Sequence, residues 1–205
     1  MAALIQTKEQ ITTAVAQEDE VRAQLYRLLA RLLARPASRS DIELVAAIGG
    51  DESELGRALA ELSRVAGTVE PAQVEREYHD LFIGLGRGEL LPFGSYYLTG
   101  FLHEKPLARL RDDMAGLGIE RDPAVKEPED HIAAELDMMA GLILGDYGEP
   151  AALSRQKRFF ADHVGPWAGH FFKDLEKAKA AVFYGAVGGV GRVFMDVEEA
   201  AFSME

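Results

Sequence analysis

From Glu20 to Arg35 the apolar residues Val21, Leu25, Leu28, Leu29 and Leu32 recur at helical spacing on one face, and Pro36 ends the run. The same period continues along the chain. Residues 40–48 give a short helical pattern closed by Gly49 and Gly50, and residues 51–66 give another closed by Gly67. Pro71 opens a fourth, with Val74, Tyr78, Leu81 and Phe82 in register. Gly84, Gly86, Gly88 and Pro92 then interrupt the pattern, because alternating glycines and a proline cannot sustain a helix. Ser95 suits the cap of a short helix over residues 96–102, and Pro106 the first turn of a helix ending near Gly116 and Gly118. A polar linker over residues 121–126 precedes Pro128, which opens a helix reaching about Tyr147. Pro150 starts a further stretch that breaks at Gly165–Pro166, and residues 167–179 and 180–201 complete the series.

No segment alternates as a strand does, and Pro-Gly clusters fall between helical patterns. The prediction is an all-α protein, a single compact helical domain of about 8–10 helices. Residues 1–18 read as a flexible N-terminal arm and residues 19–205 as the helical domain. The linker supplies a candidate hinge near residues 120–127, which allows a subdivision into 19–119 and 128–205. A chain of 205 residues buries about 70% of its unfolded surface, enough for a core without staples.

Composition narrows the chemistry. The absence of cysteine removes disulfides, thiolate metal sites and cysteine nucleophiles together. A net charge of -12 repels phosphate backbones, which argues against nucleic acid as a partner and suits a basic ligand. No run of about 18 apolar residues appears, so stable membrane insertion is not expected. The first 18 residues lack a basic start followed by an apolar stretch, so a cytoplasmic location is expected.

The most informative segment is Glu127–Leu136. Ile132, Leu136, Met139 and Ile143 form a buried stripe, with His131 and Glu135 four apart at its edge. Glu129 and Asp130 fall in the expected first turn, where carboxylates meet free N–H groups. Capping and a routine i,i+4 pair explain these residues without function. Residues 120–137 nevertheless hold seven acids against two bases. Acids beside an apolar face suit a peptide that carries both arginines and an apolar run. Glu127, His131 and Glu135 lie at i, i+4 and i+8, which leaves a small helical metal-dependent protein as an alternative. Helical di-iron sites, however, need two Glu-x-x-His motifs, and the chain has none.

Two other stretches invite functional readings. Gly84-Leu-Gly86-Arg-Gly88 superficially resembles a phosphate cradle, but no strand precedes it and no Gly-Lys-Ser/Thr follows, so it reads as a loop between helices. The glycines of 185–191 suit close helix packing or a kink. Phe160, Val164, Trp167, Phe171 and Leu175 read as core, with His163, His170 and Asp174 on a neighbouring face. Nothing in the order of residues signals catalysis, so the chain reads as a binding protein and not an enzyme.

Glu127-Pro128-x-Asp130-His131-x-x-x-Glu135-Leu136 followed by Met138-Met139 resembles the signature of the TorD/DmsD/NarJ family of redox-enzyme maturation chaperones. Tyr78-x-x-Leu81-Phe82 before Gly84 and Gly86, Pro92-Phe93-x-Ser95-x-Tyr97, and Gln156-x-x-Phe159-x-x-x-His163-x-x-x-Trp167 are similar to further family segments, in the right order. Gly94 departs from the pattern, standing where many members carry an acid. The resemblance implies a cytoplasmic chaperone that binds the catalytic subunit of a molybdopterin oxidoreductase, often at its twin-arginine signal peptide, and assists cofactor insertion before export. It places Glu127, Asp130, His131, Glu135, Phe93, Ser95 and Tyr97 in peptide or client binding. An adaptor that binds the mature client surface is the remaining alternative. The resemblance also implies a monomer or a domain-swapped dimer, and guanine nucleotide as a ligand of some members.

Overall fold

The computed structural model describes the backbone of residues 2–204 and the side chains from residue 17 onward. Among the described residues there are ten α-helices, two π-helical turns and no strand. They are α1 (Ala2–Ala34), α2 (Arg39–Ala46), α3 (Glu54–Ala66), α4 (Pro71–Tyr78) with the π turn His79–Ile83, α5 (Gly94–Thr99) and α6 (Lys105–Leu117). There follow α7 (Ile132–Leu144), α8 (Leu153–Phe159) with the π turn Phe160–Val164, α9 (Ala168–Lys177) and α10 (Phe183–Ser203). The all-α expectation holds.

The α1 backbone begins at Ala2, so it continues through the segment expected as an arm. Its buried face is centred on Ala23, Tyr26, Leu29, Ala30 and Leu33. Val21, expected on that face, is exposed, because the stripe is one position out of phase with it.

The α7 helix is the axis of the molecule. It was expected to bury one stripe, but ten of its thirteen residues are buried, from Ile132 to Ile143. It packs along α1 on one side and against α8 and its π turn on another. A helix apolar nearly all round belongs at the centre of a layer arrangement. Gly145 ends it in a left-handed conformation (φ 81°), short of Tyr147.

The α9 and α10 helices pack together at close range. A Cβ on Gly188 would sit 2.5 Å from Glu176 N and 2.9 Å from Phe172 O, and one on Gly191 would enter the Phe172 ring. The glycine run of 185–191 thus serves close packing, as its sequence suggested.

The start of α10 is closed by distant acids. Glu77, at the end of α4, accepts from the N–H groups of Val182, Phe183 and Tyr184 at 2.8, 3.1 and 2.6 Å. Glu89 accepts from Lys179 N and Ala180 N at 2.8 and 3.3 Å. Free N–H groups at a helix start carry partial positive charge, and Glu77 answers it, while Glu89 holds the turn that leads into the helix. Near the C-terminus of α10, buried Glu198 takes a bidentate pair from Arg22 at 2.8 Å and the Tyr26 hydroxyl at 2.9 Å. This pins α1 to α10.

Gly191→Ala should lower stability by about 1–3 kcal/mol, because the added methyl overpacks the α9–α10 seam. Gly116→Ala, in an exposed turn of α6 with nothing within 4 Å of the new methyl, should raise stability by about 0.5–1 kcal/mol. Thermal melts of the two variants should therefore shift in opposite directions.

Candidate functional site

The site is assembled where two distant stretches of chain meet. After α4 the chain makes a π turn and enters the glycine loop. Gly84 has φ 60°, and a side chain there would strike the Arg87 carbonyl. The loop closes through Leu90 N to Leu81 O (2.8 Å) and Glu89 N to Asp80 O (3.2 Å). It is a tight self-packed turn, and its tip presents Leu85 fully to solvent. Arg87 reaches back from the loop to the Tyr96 hydroxyl (2.6 Å) and lies over that ring.

The chain then runs extended through Pro92 and Phe93 and pairs with residues 130–132. Gly94 N donates to Asp130 O at 2.8 Å, Ile132 N donates to Pro92 O at 2.9 Å, and Phe93 and His131 form an isolated antiparallel bridge. The Asp130 carboxylate accepts from Ser95 N at 2.8 Å. Asp130 therefore serves the start of α5, not of its own helix. Ser95, expected as a cap, lies inside α5, which begins at Gly94 after Phe93.

His131 is the N-cap of α7, and its Nδ1 accepts from Ala133 N at 3.1 Å. That bond requires a neutral ring with the proton on Nε2. Burial pushes its pKa down to about 4, which agrees with the neutral form. The helix thus starts at Ile132 and not at Pro128, and residues 128–131 form a turn closed by His131 N to Pro128 O. The expected His131–Glu135 pair does not form. Glu135 is buried and accepts from the Trp167 indole N–H at 2.8 Å. Burial raises its carboxyl well above the usual range; the Trp167 bond opposes this and the charge of Asp130 adds to it.

Gly94 lies directly over this pair. A Cβ there would be 3.0 Å from Trp167 Nε1 and 3.2 Å from Glu135 Oε1. The residue that departs from the family pattern is therefore packed against the indole, where a longer side chain would have to displace it. Trp167 also holds the Tyr97 ring at 5.5 Å, and the Tyr97 hydroxyl donates to Asp174 at 3.1 Å. Phe93 stands edge-on to His131 at 5.2 Å.

Six of the seven sequence-selected residues are thus in one cluster: Phe93, Ser95, Tyr97, Asp130, His131 and Glu135. Ser95, Asp130, His131 and Glu135 are buried, whereas Phe93 and Tyr97 are half-buried. Ser95 Oγ and Asp130 Oδ1 are buried without hydrogen-bond partners. Glu127 stands apart, exposed on the linker, where its charge joins burial in raising the Tyr78 phenol to about 12. Glu127, His131 and Glu135 do not converge, and no described group of three or more His, Asp or Glu is placed to hold a metal. The linker itself is fastened by Arg121, which donates to the carbonyls of Val125 and Lys126 at 3.0 and 3.1 Å. Burial works against the charge on Glu129, but the Arg111 guanidinium (2.7 and 3.0 Å) and Arg121 outweigh it and hold that carboxyl below its ordinary range.

Sequence reasoning placed Trp167 in the core and missed its role as the acceptor-seeking hub. A lone tryptophan at core spacing was the only signal, since a buried indole N–H requires a partner. In the glycine loop and around the end of α5, Ile83, Leu85, Leu98, Phe101 and Leu102 are exposed, Phe101 at 70%. Just beyond them His103, a non-glycine residue, takes a left-handed φ of 61°, the sort of backbone strain that concentrates at functional loops.

Two buried groups of the site, His131 and Glu135, make stability depend on pH. His131 is depressed from 6.5 to about 4, so below pH 6.5 the unfolded chain takes up a proton that the folded chain refuses. Stability should fall through that window as pH drops, by up to about 3 kcal/mol. Glu135 is raised, so its contribution is fully present below its unfolded value and is lost as pH rises toward the folded one. Glu135→Gln retains an acceptor for Trp167 and cannot ionise. It should be more stable than the native chain at pH 7–9 in urea titrations followed by the single tryptophan. Parallel pH curves for the two proteins would sink this assignment.

A family model described as the nitrate reductase delta subunit matches residues 49–173, a stretch that includes the glycine loop, the interlock, α7 and Trp167. The chaperone protein TorD of Vibrio cholerae serotype O1 is 27% identical over 201 residues, covering 88% of this chain and 91% of its own. The chaperone protein TorD of Photobacterium profundum is 28% identical over 189 residues, covering 82% and 88%. The crystal structure of a protein described as a redox enzyme maturation protein, from Archaeoglobus fulgidus, shares the fold, with a TM-score of 0.52 at 22% identity over 85% of this chain and 93% of that one. With more than half its length matched by the family model and its signature residues gathered at one interlock, the chain belongs to the nitrate reductase delta subunit family, the TorD/DmsD/NarJ group of redox-enzyme maturation chaperones.

Proposed function

We propose that the protein is a cytoplasmic chaperone for the catalytic subunit of a molybdopterin oxidoreductase. It holds the twin-arginine signal peptide of the apoenzyme and keeps the subunit competent for cofactor insertion before export. The observation that carries this reading is the set of exposed apolar side chains on the elements adjoining the signature cluster: Leu98 at the end of α5, Phe101 just after it, and Leu85 in the glycine loop, with half-buried Phe93 and Tyr97 in the cluster itself. No helix among the described residues is long and apolar enough to cross a membrane.

The chemistry divides the site residues into two groups. Phe93 and Tyr97 offer aromatic surface to the apolar run of the peptide, and exposed Glu127 offers a carboxylate to its arginines. Ser95, Asp130, His131 and Glu135 position that surface from beneath. Their burial costs stability unless their bonds are made, which suits a framework role. Asp130 Oδ1 is buried with no donor of its own, so the frame keeps an unmet acceptor.

A peptide with two arginines followed by an apolar run tests this by fluorescence anisotropy. The native chain should bind it at low salt, and binding should weaken as salt screens the exposed charges. Phe101→Ser and Tyr97→Ala should each weaken it by about fivefold or more, the range of a contact residue. Absence of binding at low salt, or native affinity in both variants, would refute the proposed face.

A further inference from the structure

Two arginines of this acidic chain lie over aromatic rings, and they keep different company. Arg22, 5.4 Å from the centre of the Phe202 ring, is also held by the carboxylates of Asp19 and Glu198. Arg87 makes no ion pair among the described residues. Its exposed guanidinium rests 5.2 Å from the centre of the Tyr96 ring and donates to the Tyr96 hydroxyl at 2.6 Å. The glycine loop does not depend on that side chain for its shape. It closes through the backbone bonds of Leu90 to Leu81 and Glu89 to Asp80, and the Glu89 carboxylate ties it to the N–H groups of Lys179 and Ala180. The Arg87 side chain can therefore leave the ring while the loop stays shut.

Tyr96 is half-buried on α5, between Ser95, whose N–H the Asp130 carboxylate holds, and Tyr97, whose ring stands nearly perpendicular to it at 6.1 Å. Exposed Leu98 is two residues further on the same helix. The face of a phenol ring attracts a guanidinium, and the phenol oxygen accepts one of its N–H groups. Arg87 makes both contacts, so the chain itself supplies an example of what this ring holds. We propose that Tyr96 is a subsite for an arginine of the bound peptide, and that Arg87 keeps the place of that arginine in the free chain. This rests on the peptide-binding function proposed above. An arriving arginine must then exchange with Arg87, one guanidinium for another. Apparent affinity falls in proportion to the fraction of chains whose ring is uncovered. Peptides without an arginine to make the exchange meet a covered ring, which gives the face a threshold against merely apolar ligands.

The test titrates the two-arginine peptide against the native chain, Arg87→Ala, Tyr96→Leu and the double variant. Arg87→Ala should bind about fivefold more tightly than the native chain. The same substitution made in Tyr96→Leu should bring no gain. Simple repulsion between Arg87 and a basic peptide would also produce a gain, but one that persists without the ring and fades with salt. Emission from buried Trp167 reports whether the fold beneath is intact in each protein. Should Tyr96→Leu disturb α5, the Arg87→Ala arm decides alone, because that side chain is exposed. Unchanged or weaker binding by Arg87→Ala, or a gain that survives in Tyr96→Leu, would overturn the subsite and leave the peptide reading standing. Absence of binding by all four proteins would overturn both.

Discussion

Asp130 accepts a hydrogen bond from Ser95, 35 residues earlier in the first turn of α5, and much of the site depends on that bond. It fixes α5 against the segment entering α7, and the Gly94–Asp130 and Pro92–Ile132 backbone bonds complete the junction. With α5 fixed, Tyr97 lies on Trp167, and Trp167 reaches Glu135 one turn into α7. Three elements from separate parts of the chain are thereby referred to one point. A buried aspartate with a single satisfied oxygen is costly, and it persists because the surrounding contacts over-determine the junction.

Elsewhere too, this chain spends carboxylates inside. Glu77 closes the start of α10, Asp41 caps α2 beside Arg31 and Arg35, and Glu198 joins α1 to α10. Each answers free N–H groups or a guanidinium. The net charge of -12 therefore overstates how acidic the outer surface is at any one place.

Helix number, the proline starts and the glycine stops could be read from the sequence, because they depend on neighbours within a turn or two. The close packing at Gly188 and Gly191 was legible for the same reason. The wiring of the site was not. A helical period pairs His131 with Glu135, but it has no access to Ser95 or Trp167, which are the actual partners of Asp130 and Glu135. Nor could it foresee that α7 would be enclosed on nearly every side, which converts an apparent edge into interior. Family resemblance located the cluster correctly and left open whether its residues touch a client or hold the frame. Burial favours the frame for four of the seven.

The junction at Gly94 and Asp130 has a topological consequence. The chain leaves the core at Ser95, builds α5, α6 and the linker, and returns within a hydrogen bond of its point of departure. Residues 95–129 are in effect a module inserted at one socket. Its buried Leu110, Met114 and Ile119 belong to the common core, so within the module the exposed stretch between α5 and α6 is what can change in length or sequence while α7 keeps its register.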